Sequence, residues 1–600
     1  MSITVITARA ARTAPAADRW VYLGKNTQLR QHLAQRFGRE REQRLGDRVD
    51  RMAREIREQL REWSARANER HRHELKWWAT RIASPNPYVS DWFLLICLVL
   101  VGRDLITEWA ARPETTLLVI EDPWAFQTLR RCCNDSGEIR FQGKPRLGLQ
   151  YVRLAIRGVL ARLRLFAHLV FDRLAVARGT QRDGLQEKTV WIFSLAENRI
   201  RTSVGFDDPY LAGLGDMLTS HGLVYQRCLG PLLTPELRRR QDWRTAFLPL
   251  SGLLRWRDLL WLTVNSRPPQ LDLELKLRGL DLEPILARER WHEIGSANLS
   301  VNLTYYAAFR QLFSRRQVRK LFYFSEWQPW EKLLCLARDR FAPEVELIGY
   351  QHSTIPLFLL SHFPWHSQWS WLPRPDALVA NGALSERIFR EANYPDGYVR
   401  QGGALRYGYF CGNQPRAPGK HQSDERRILV ALPIDTYLSR ELMELLAGNE
   451  ALWREQRMRL EVKTHPDCPW ESIAPDLPAD SWIRPTHRRL EEQANALDAV
   501  LYCSTSVGLE AVLLGLPTFA YVAQGVLTLD ATLDWFPGHV IRCDNCTLIE
   551  RLVDWRQNGL PQVIAPPRFE DVFGAIQADV WIKLASGQRD KLLPTPFTNR

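Results

Sequence analysis

Two series of short apolar runs, each run followed by a segment with helical periodicity, constrain the fold of this chain more than any other feature of its sequence. Runs rich in β-branched and aromatic residues predict buried strands, and their alternation with helices predicts parallel sheets covered by helices. The predicted strands of the first series are residues 116–121, 189–193, 223–226, 320–324, 345–350 and 377–380. The predicted strands of the second series are residues 427–431, 459–463, 499–502 and 518–521.

A polar segment rich in Pro, Gly and Gln, residues 412–425, separates the two series and indicates a linker. We therefore predict a helical basic N-terminal region at residues 1–110, a first Rossmann-like domain at 111–411 and a second at 412–600. Two doubly wound domains joined in this way place a ligand cleft between the carboxyl ends of their strands. The predicted fold class is α/β, with two Rossmann-like domains facing a cleft and an N-terminal helical extension.

The charge balance of the chain calls for an anionic partner. It has 81 Lys and Arg against 68 Asp and Glu, which gives a formal net charge of +13 at pH 7. Nucleic acid, anionic lipid and a phosphorylated substrate would all satisfy such a charge. The arginine-rich first 180 residues lack an RNA-binding aromatic signature and zinc-finger spacing, so we predict no nucleic-acid partner.

The cysteines and the N-terminus favour a cytoplasmic protein. The ten cysteines form no repeating framework, which suits a reducing compartment. Cys543 and Cys546 make one C-x-x-C without a second ligand pair, so we predict no metal site. The chain begins Met1-Ser2-Ile3-Thr4, without the basic, apolar and small-residue succession of a secretory signal.

Three segments of the first 180 residues have distinctive patterns. Residues 39–78, dense in Arg and Glu, predict one long solvated helix. The apolar run at residues 92–101 is too short to span a bilayer and indicates a buried helix or a shallow anchor. Residues 144–178 predict a basic amphipathic helix inserted in the first domain. Two interpretations of that helix stay open: it lies on an anionic membrane, or it packs on the core with an arginine-rich outer face.

The segment 459–470, RLEVKTHPDCPW, carries the first set of candidate site residues. The predicted strand ends at Lys463, so Thr464, His465 and Pro466 follow at the cleft. A lysine and a histidine there can donate hydrogen bonds to a phosphate that gains charge as a bond to it breaks. The alternative for His465 is a loop residue whose hydrogen bonds are satisfied within the protein.

The segment 497–521 carries the second set. A buried strand leads into Ser504, Thr505 and Ser506, and a helix is predicted to begin at residue 507. Hydroxyls and free backbone N–H groups at a helix start predict an anion site, although a plain helix cap explains the same residues. Glu510, one turn into the helix, is predicted to meet a ribose or to compensate the helix dipole.

These two segments, in this order at the ends of neighbouring strands, resemble a known family. They look like the His-Pro and Ser-Ser/Thr motifs of GT-B glycosyltransferases that use CMP-activated ulosonic acids. That group includes bacterial sialyltransferases, capsule Kdo transferases and surface-carbohydrate proteins assigned to pseudaminic or legionaminic acid transfer. Segments 322–334, 349–357, 378–389 and 399–408 resemble the same group in order and spacing, so the likeness covers about residues 190 to 560.

The resemblance implies that the chain moves an ulosonic acid from a CMP-sugar to a surface-glycan acceptor such as capsule or O-antigen, without a metal or other cofactor. The first domain would bind the acceptor, a glycan or a lipid-linked glycan, and the second the nucleotide sugar. His465 and Pro466 would bracket the CMP phosphate beside Lys463. The hydroxyls of residues 504–506 would hold phosphate oxygens, and Glu510 would meet the nucleotide. The expected location is peripheral, at the inner face of a bacterial inner membrane.

The general base is sought among the acids of the first domain. Related sialyltransferases carry a D/E-D/E-G motif, to which Asp207-Asp208-Pro209 is the nearest match, with Pro in place of Gly. Glu326, just beyond the predicted strand 320–324, is the other candidate. Each of these acids could instead cap a loop.

Four further residues of the first domain are candidate substrate contacts. Gln351 and His352 are predicted to contact a sugar. Asn381 and Arg406 are candidate donors to a substrate carboxylate, Arg406 because a guanidinium group matches a carboxylate with two parallel hydrogen bonds.

Two other interpretations remain open at this point. The first is a different GT-B enzyme, such as a teichoic-acid type glycerophosphate transferase or a nucleotide-sugar epimerase. The second is a non-catalytic, membrane-associated glycan-binding scaffold that keeps the fold without the reaction.

Overall fold

Three parallel sheets organise the chain. The computed structural model describes residues 2–14, 16–133, 139–177, 189–195, 208, 210–239, 247–270, 273–410, 424–473, 477–559 and 564–587. A four-stranded sheet forms the N-terminal domain, a seven-stranded sheet the middle domain and a six-stranded sheet the C-terminal domain. The middle and C-terminal domains are Rossmann-like and face a common cleft, which confirms the predicted GT-B architecture.

The N-terminal domain is an α/β unit, so the predicted helical N-terminal region is not confirmed. Its strands are β1 (Ser2–Thr7), β2 (Arg19–Leu23), β3 (Thr115–Ile120) and β4 (Ile139–Gln142), in the sheet order β2-β3-β1-β4. The predicted strand 116–121 therefore belongs to this sheet and not to the first Rossmann-like domain. The pairing joins Ser2 to Thr115. Local periodicity does not reveal a sheet whose strands lie so far apart along the chain.

The helices of the N-terminal domain are buried on one face. They are α1 (Thr27–Phe37), α2 (Arg48–Arg70), α3 (Leu75–Trp78), α4 (Trp92–Ala110) and α5 (Pro123–Cys133). The prediction of one solvated helix over residues 39–78 is wrong, because α2 is shorter and buries Val49, Met52, Ile56 and Leu60. Trp63 of α2 packs edge-on against Trp92 of α4 at 5.7 Å. Residues 92–101 are buried throughout, as the buried-helix interpretation predicts.

The helix α6 (Leu147–Ala177) connects the N-terminal and middle domains and matches the predicted amphipathic helix. Its buried side rests on the middle domain, where Tyr151 stacks on Trp291 at 4.3 Å. Its exposed side carries large apolar residues, among them Ile156 and Leu160. The helix thus packs on the core, as the second interpretation predicts, but its outer face is mainly apolar, with exposed arginines such as Arg153 and Arg157 beside the apolar residues. Across the described residues, no helix has both the length and the hydropathy to span a bilayer.

The middle domain contains a seven-stranded parallel sheet with the order β13-β12-β11-β10-β5-β6-β7. Its strands are β5 (Val190–Ser194), β6 (Tyr225–Leu229), β7 (Phe247–Pro249), β10 (Lys320–Phe324), β11 (Glu346–Gln351), β12 (Ala377–Ala380) and β13 (Val399–Gln401), and a hairpin adds β8 (Lys276–Leu277) and β9 (Leu280–Asp281). Its helices are α7 (Leu214–Ser220), α8 (Pro235–Arg239), α9 (Trp256–Val264), α10 (Glu283–Ile294), α11 (Asn298–Arg315), α12 (Pro329–Phe341) and α13 (Ala383–Glu391).

The C-terminal domain contains a six-stranded parallel sheet with the order β16-β15-β14-β17-β18-β19. Its strands are β14 (Arg426–Ala431), β15 (Met458–Lys463), β16 (Ile483–Pro485), β17 (Ala499–Tyr502), β18 (Thr518–Tyr521) and β19 (Ile541–Cys543). Its helices are α14 (Thr436–Ala447), α15 (Glu450–Glu455), α16 (Leu490–Gln493), α17 (Val507–Leu513), α18 (Ala531–Trp535) and α19 (Leu548–Asn558).

The last two helices, α20 (Phe569–Val572) and α21 (Ala578–Ser586), return to the middle domain. Trp581 of α21 is fully buried against Phe322 and Tyr350 of the middle sheet. Its Nε1 donates to the carbonyl oxygen of Gly402 at 2.8 Å. The structure thus differs from the predicted second domain of 412–600, whose final helices pack on the first Rossmann-like domain.

Candidate functional site

The main cleft lies at the point in each Rossmann-like sheet where the strand order reverses. In the middle sheet, β6 and β7 follow β5 on one side, and β11, β12 and β13 follow β10 on the other. The connections that leave β5 and β10 therefore run in opposite directions. In the C-terminal sheet the same change occurs between β14 and β17. Diverging loops leave a crevice at the carboxyl ends of the strands. Here that crevice is a cleft of about 1620 Å³ lined by all three domains.

The C-terminal domain brings the predicted phosphate contacts to this cleft. Lys463 ends β15, and His465 and Pro466 follow it in the lining. The backbone N–H of Asp467 donates to His465 Nδ1 at 3.1 Å. In the neutral ring this contact assigns the proton to Nε2, which can then donate to an anion.

The three hydroxyl residues line the same cleft from the next loop. Ser504, Thr505 and Ser506 connect β17 to α17 and are partly exposed. Ser504 has a φ of 44°, a left-handed conformation that is unfavourable outside glycine and concentrates at functional loops. Ser506 Oγ donates to Glu510 Oε1 at 3.2 Å, so the carboxylate of Glu510 holds one of the hydroxyls in place. Both sequence motifs therefore line the same cleft.

Across the cleft, the middle domain presents a carboxylate beside an imidazole. Glu326 follows β10 and His352 follows β11, and His352 Nε2 lies 3.4 Å from Glu326 Oε1. The His352 ring is buried and packs edge-on against Tyr210 and Phe324, at 4.9 and 5.7 Å. The side chain of Glu326 is 35% exposed, against 4% for His352. The imidazole is thus fixed in the wall while the carboxylate reaches the cleft.

A second, buried carboxylate shapes the loop that carries Glu326. Glu331 Oε1 accepts from the backbone N–H groups of Glu326 and Gln328, at 2.9 and 2.8 Å, and its Oε2 accepts from Ser325 Oγ at 2.9 Å. Burial raises the pKa of Glu331 to about 7. This residue was not among the predicted site residues. The Gln-Pro-Trp-Glu sequence at residues 328–331 is the signal for it, since it is a capping pattern at the start of α12.

Gln351 is a buried lining residue with an unused acceptor. Its amide nitrogen donates to the carbonyl oxygen of Ser353 at 3.1 Å. Its Oε1 has no hydrogen-bond partner among the residues that the structure describes. A buried acceptor without a partner is unfavourable unless a ligand or water completes it. Its place in the cleft wall suits the predicted contact with a sugar hydroxyl.

The contacts of Asp208, in the Asp-Asp-Pro segment, differ from those expected of the predicted general base. Asp207 lies outside the described residues. Asp208 lines the cleft but is buried, and its Oδ1 accepts from the N–H groups of Tyr210 and Leu211, at 2.9 and 3.0 Å. Its Oδ2 accepts from Ser194 Oγ. The pKa of Asp208 is raised, because the effect of burial outweighs that of these hydrogen bonds, which lower it. These contacts are those of a loop-capping acid.

The two predicted carboxylate donors lie in different surroundings. Arg406 is exposed and lines the cleft, with its guanidinium 5.6 Å from the centre of the Tyr407 ring. Asn381 is fully buried outside the lining, and its amide joins Ser353 and Ser385. The prediction for Asn381 is therefore wrong in this structure, because its amide is used to hold the loop at the start of α13.

The N-terminal domain supplies a third wall of the cleft that sequence reasoning missed. Lys25, Arg81, Tyr88 and Asp91 line it together with Arg288 of α10. Arg288 Nη1 lies 2.9 Å from Asp91 Oδ1, which ties α10 to the N-terminal domain. None of these residues belongs to a recognisable motif, so only the packing of the domains could identify them.

Within the described ranges, no three or more His, Cys, Asp or Glu side chains are grouped to hold a metal ion. Cys543 is buried and Cys546 is partly exposed.

Comparison with known proteins gives similarities of fold at low identity. No protein-family model matches the chain, and no curated protein matches its sequence. UDP-GlcNAc 2-epimerase of Methanocaldococcus jannaschii, in complex with UDP-GlcNAc and UDP, is 9% identical over 65% of this chain and 98% of its own, with a TM-score of 0.38. The spinosyn rhamnosyltransferase SpnG with thymidine diphosphate is 14% identical over 66% of this chain and 95% of its own, with a TM-score of 0.34. The wall teichoic acid polymerase TagF is 12% identical over 74% and 99%, with a TM-score of 0.34. At these values the residues of the site itself must carry any argument about function.

Proposed function

We propose that this protein is a glycosyltransferase that moves an ulosonic acid from a CMP-sugar to a hydroxyl of a surface-glycan acceptor. One observation carries the proposal. Lys463, His465 and the hydroxyls of residues 504–506 line one wall of a cleft whose other wall presents the Glu326–His352 pair. Both sets lie at the carboxyl ends of parallel strands, where doubly wound domains bind their ligands.

The C-terminal wall has the chemistry to hold a leaving nucleotide. As the bond from the anomeric carbon to the phosphate oxygen breaks, negative charge grows on the phosphate. The ammonium of Lys463, an N–H of His465 and the hydroxyls of Ser504 and Thr505 would donate hydrogen bonds that strengthen with that charge, and Ser506 would join them if its hydroxyl turned from Glu510. In this proposal these protein groups supply the positive charge that Mg²⁺ supplies in other transferases.

The middle wall has the chemistry to activate the acceptor. The carboxylate of Glu326 takes the proton of an acceptor hydroxyl while the hydroxyl oxygen bonds to the anomeric carbon, and CMP departs with the electron pair. His352 holds the carboxylate in place. Asp208 is the weaker candidate base because it is buried and accepts three hydrogen bonds, from Ser194, Tyr210 and Leu211. Gln351 would contact a sugar hydroxyl and Arg406 the donor carboxylate, since both line the cleft.

Nucleotide binding separates this proposal from other GT-B enzymes. We expect CMP to raise the melting temperature of the wild type, and His465→Ala to weaken CMP binding by about 10- to 100-fold through loss of a charge-assisted hydrogen bond. His221→Ala, which removes an exposed histidine outside the cleft lining, is the matched control and should bind CMP normally.

Two outcomes would decide against the proposal. Stabilisation by CDP or UDP but not by CMP would favour a glycerophosphate transferase or an epimerase. Mass spectrometry of reactions with a panel of CMP-ulosonic acids tests turnover directly. Glycan binding that is unchanged in His465→Ala, with no product from any donor, would favour the non-catalytic scaffold.

A further inference from the structure

The exposed face of α6 is an apolar stripe that runs almost the whole length of the helix. Its exposed apolar residues are Leu149, Val152, Ile156, Val159, Leu160, Leu163, Phe166, Phe171 and Leu174. Leu160 and Leu163 are each 61% exposed and Phe171 is 64% exposed. At 1.5 Å per residue the stripe is roughly 38 Å long. A contiguous apolar surface of this kind marks an interaction site.

Exposed arginines border this stripe along one edge. Arg146, Arg153, Arg157 and Arg164 recur at intervals of four and seven residues, which places them on one side of a helix. The stripe thus has an apolar centre and a cationic edge. This arrangement is typical of helices that lie in the headgroup region of an anionic bilayer.

The opposite side of α6 is packed against the middle domain, and these contacts fix the rotation of the helix about its axis, so that the stripe faces outward. Gly158 lies so close to α10 that a Cβ atom there would come within 1.8 Å of the carbonyl oxygen of Ile294. Arg162 Nη1 donates to the same oxygen at 2.9 Å. Leu154 and Leu169 are buried. The orientation of the helix is therefore set by its contacts with the middle domain.

The helix α9 extends the apolar surface. Trp256, Leu260 and Val264 are spaced by one helical turn and are 54%, 66% and 70% exposed. Arg173 of α6 lies over the Trp256 ring, 5.2 Å from its centre, so the two helices adjoin. Arg257 beside Trp256 is also exposed. A tryptophan next to cationic residues suits the interface between lipid headgroups and acyl chains.

We propose that α6 and α9 together form a surface that docks the protein on an anionic phospholipid bilayer. The arginine edge decides for a lipid surface, because its charge complements anionic headgroups while the leucines and phenylalanines enter the acyl boundary. The evidence lies outside the cleft, so the inference goes beyond the proposed reaction and does not depend on the donor.

Vesicle sedimentation with the full chain tests the surface. We expect binding to vesicles of equal parts phosphatidylcholine and phosphatidylglycerol, and much weaker binding to phosphatidylcholine alone. Arg153→Glu/Arg157→Glu/Arg164→Glu should weaken binding by about 100-fold or more. Leu160→Glu/Leu260→Glu, with one change on each helix, should abolish it. Val224→Glu replaces an apolar residue of similar exposure, 56%, that belongs to neither helix, and is the matched control, with binding unchanged.

Two further measurements keep the result interpretable. CMP affinity should be unchanged in all three variants, so failure of the donor proposal is distinguishable from failure of the surface. Sedimentation velocity tests whether a second copy of the chain covers the stripe. The proposal is overturned if the wild type ignores anionic vesicles, if the Val224 variant loses binding as the helix variants do, or if Leu160→Glu/Leu260→Glu dissociates a dimer and leaves vesicle binding intact.

Discussion

At the scale of single residues, the position of Glu326 separates it from the other acids of the cleft. Glu326 reaches the cleft with its carboxylate beside His352, whereas Asp208 and Glu331 direct their oxygens at hydroxyl and backbone N–H groups. The side chain of Glu326 is 35% exposed, although its Oε2 also accepts from Gln328 Nε2 at 3.4 Å, whereas Asp208 and Glu331 are buried away from an acceptor hydroxyl. The three acids therefore divide into one candidate base and two that shape the loops.

Replacement of Glu326 tests this division. We expect Glu326→Gln to lower kcat for transfer by about 10²- to 10⁴-fold, because the amide cannot take the proton of the acceptor hydroxyl. CMP affinity should stay unchanged, since the proposed phosphate contacts, Lys463, His465 and residues 504–506, belong to the other domain. Steady-state kinetics and isothermal titration calorimetry measure the two quantities. Asp208→Asn is the comparison and should mainly lower the melting temperature; a larger loss of kcat in Asp208→Asn than in Glu326→Gln would reverse the assignment.

At the scale of elements, α2 shows how a charged sequence can form part of a core. The helix carries Arg and Glu on its outer face while Ile56, Leu60 and Trp63 face α4. An amphipathic helix of this kind is stabilised mainly by the packing of its apolar side. The apolar sides of α2 and α4 thus belong to a hydrophobic core that continues into the middle domain.

Truncation of one buried side chain measures that packing. Leu60→Ala should lower the free energy of unfolding by about 2–5 kcal/mol, because it removes a fully buried leucine and leaves a cavity. Arg66→Ala, on the exposed face of the same helix, should change it by no more than about 0.5 kcal/mol. Urea denaturation followed by circular dichroism gives both values. Equal, small effects would mean that α2 is an appendage, as the charge pattern alone predicts.

At the scale of the whole molecule, the N-terminal domain joins the two halves of the cleft. Arg57 Nε donates to the carbonyl oxygen of Leu357 in the middle domain at 3.0 Å. In the C-terminal domain, the Thr528 N–H donates to Asp50 Oδ1 at 2.9 Å. Asp534 joins all three parts, since its oxygens accept from the Leu357 N–H at 2.8 Å and from Arg54 Nη2 at 3.1 Å. This junction holds the two Rossmann-like domains at a set spacing.

Loss of the Asp534 carboxylate should loosen that junction. Asp534→Ala removes two hydrogen bonds to a buried charged group, so we expect a loss of about 2–4 kcal/mol in the free energy of unfolding. Hydrogen–deuterium exchange should quicken at residues 355–359 and 526–535. Asp480→Ala breaks an exposed ion pair within the C-terminal domain and serves as the control. Unchanged exchange at both segments would show that the domains are held by other contacts.

The local pattern of strands, and the residues that follow each strand, can be predicted from the amino-acid sequence alone. Strands 320–324, 377–380, 499–502 and 518–521 were predicted with the bounds that the structure has. Buried parallel strands are continuous apolar runs, so each is visible without knowledge of its partners. Because residues that follow such strands share one edge of the sheet, the sequence predicts that His465 lies near Ser504–Ser506, and both line the cleft.

The tertiary structure alone decided how distant parts of the chain meet. The pairing of Ser2–Thr7 with Thr115–Ile120, the approach of His352 to Glu326 and the third wall with Lys25 and Arg81 all join segments that no local period relates. Tertiary contacts likewise decide that the apolar stripe of α6 faces outward. Helical periodicity defines the two faces of a helix, but which face is buried depends on the packing of Gly158 and Leu154 against another domain.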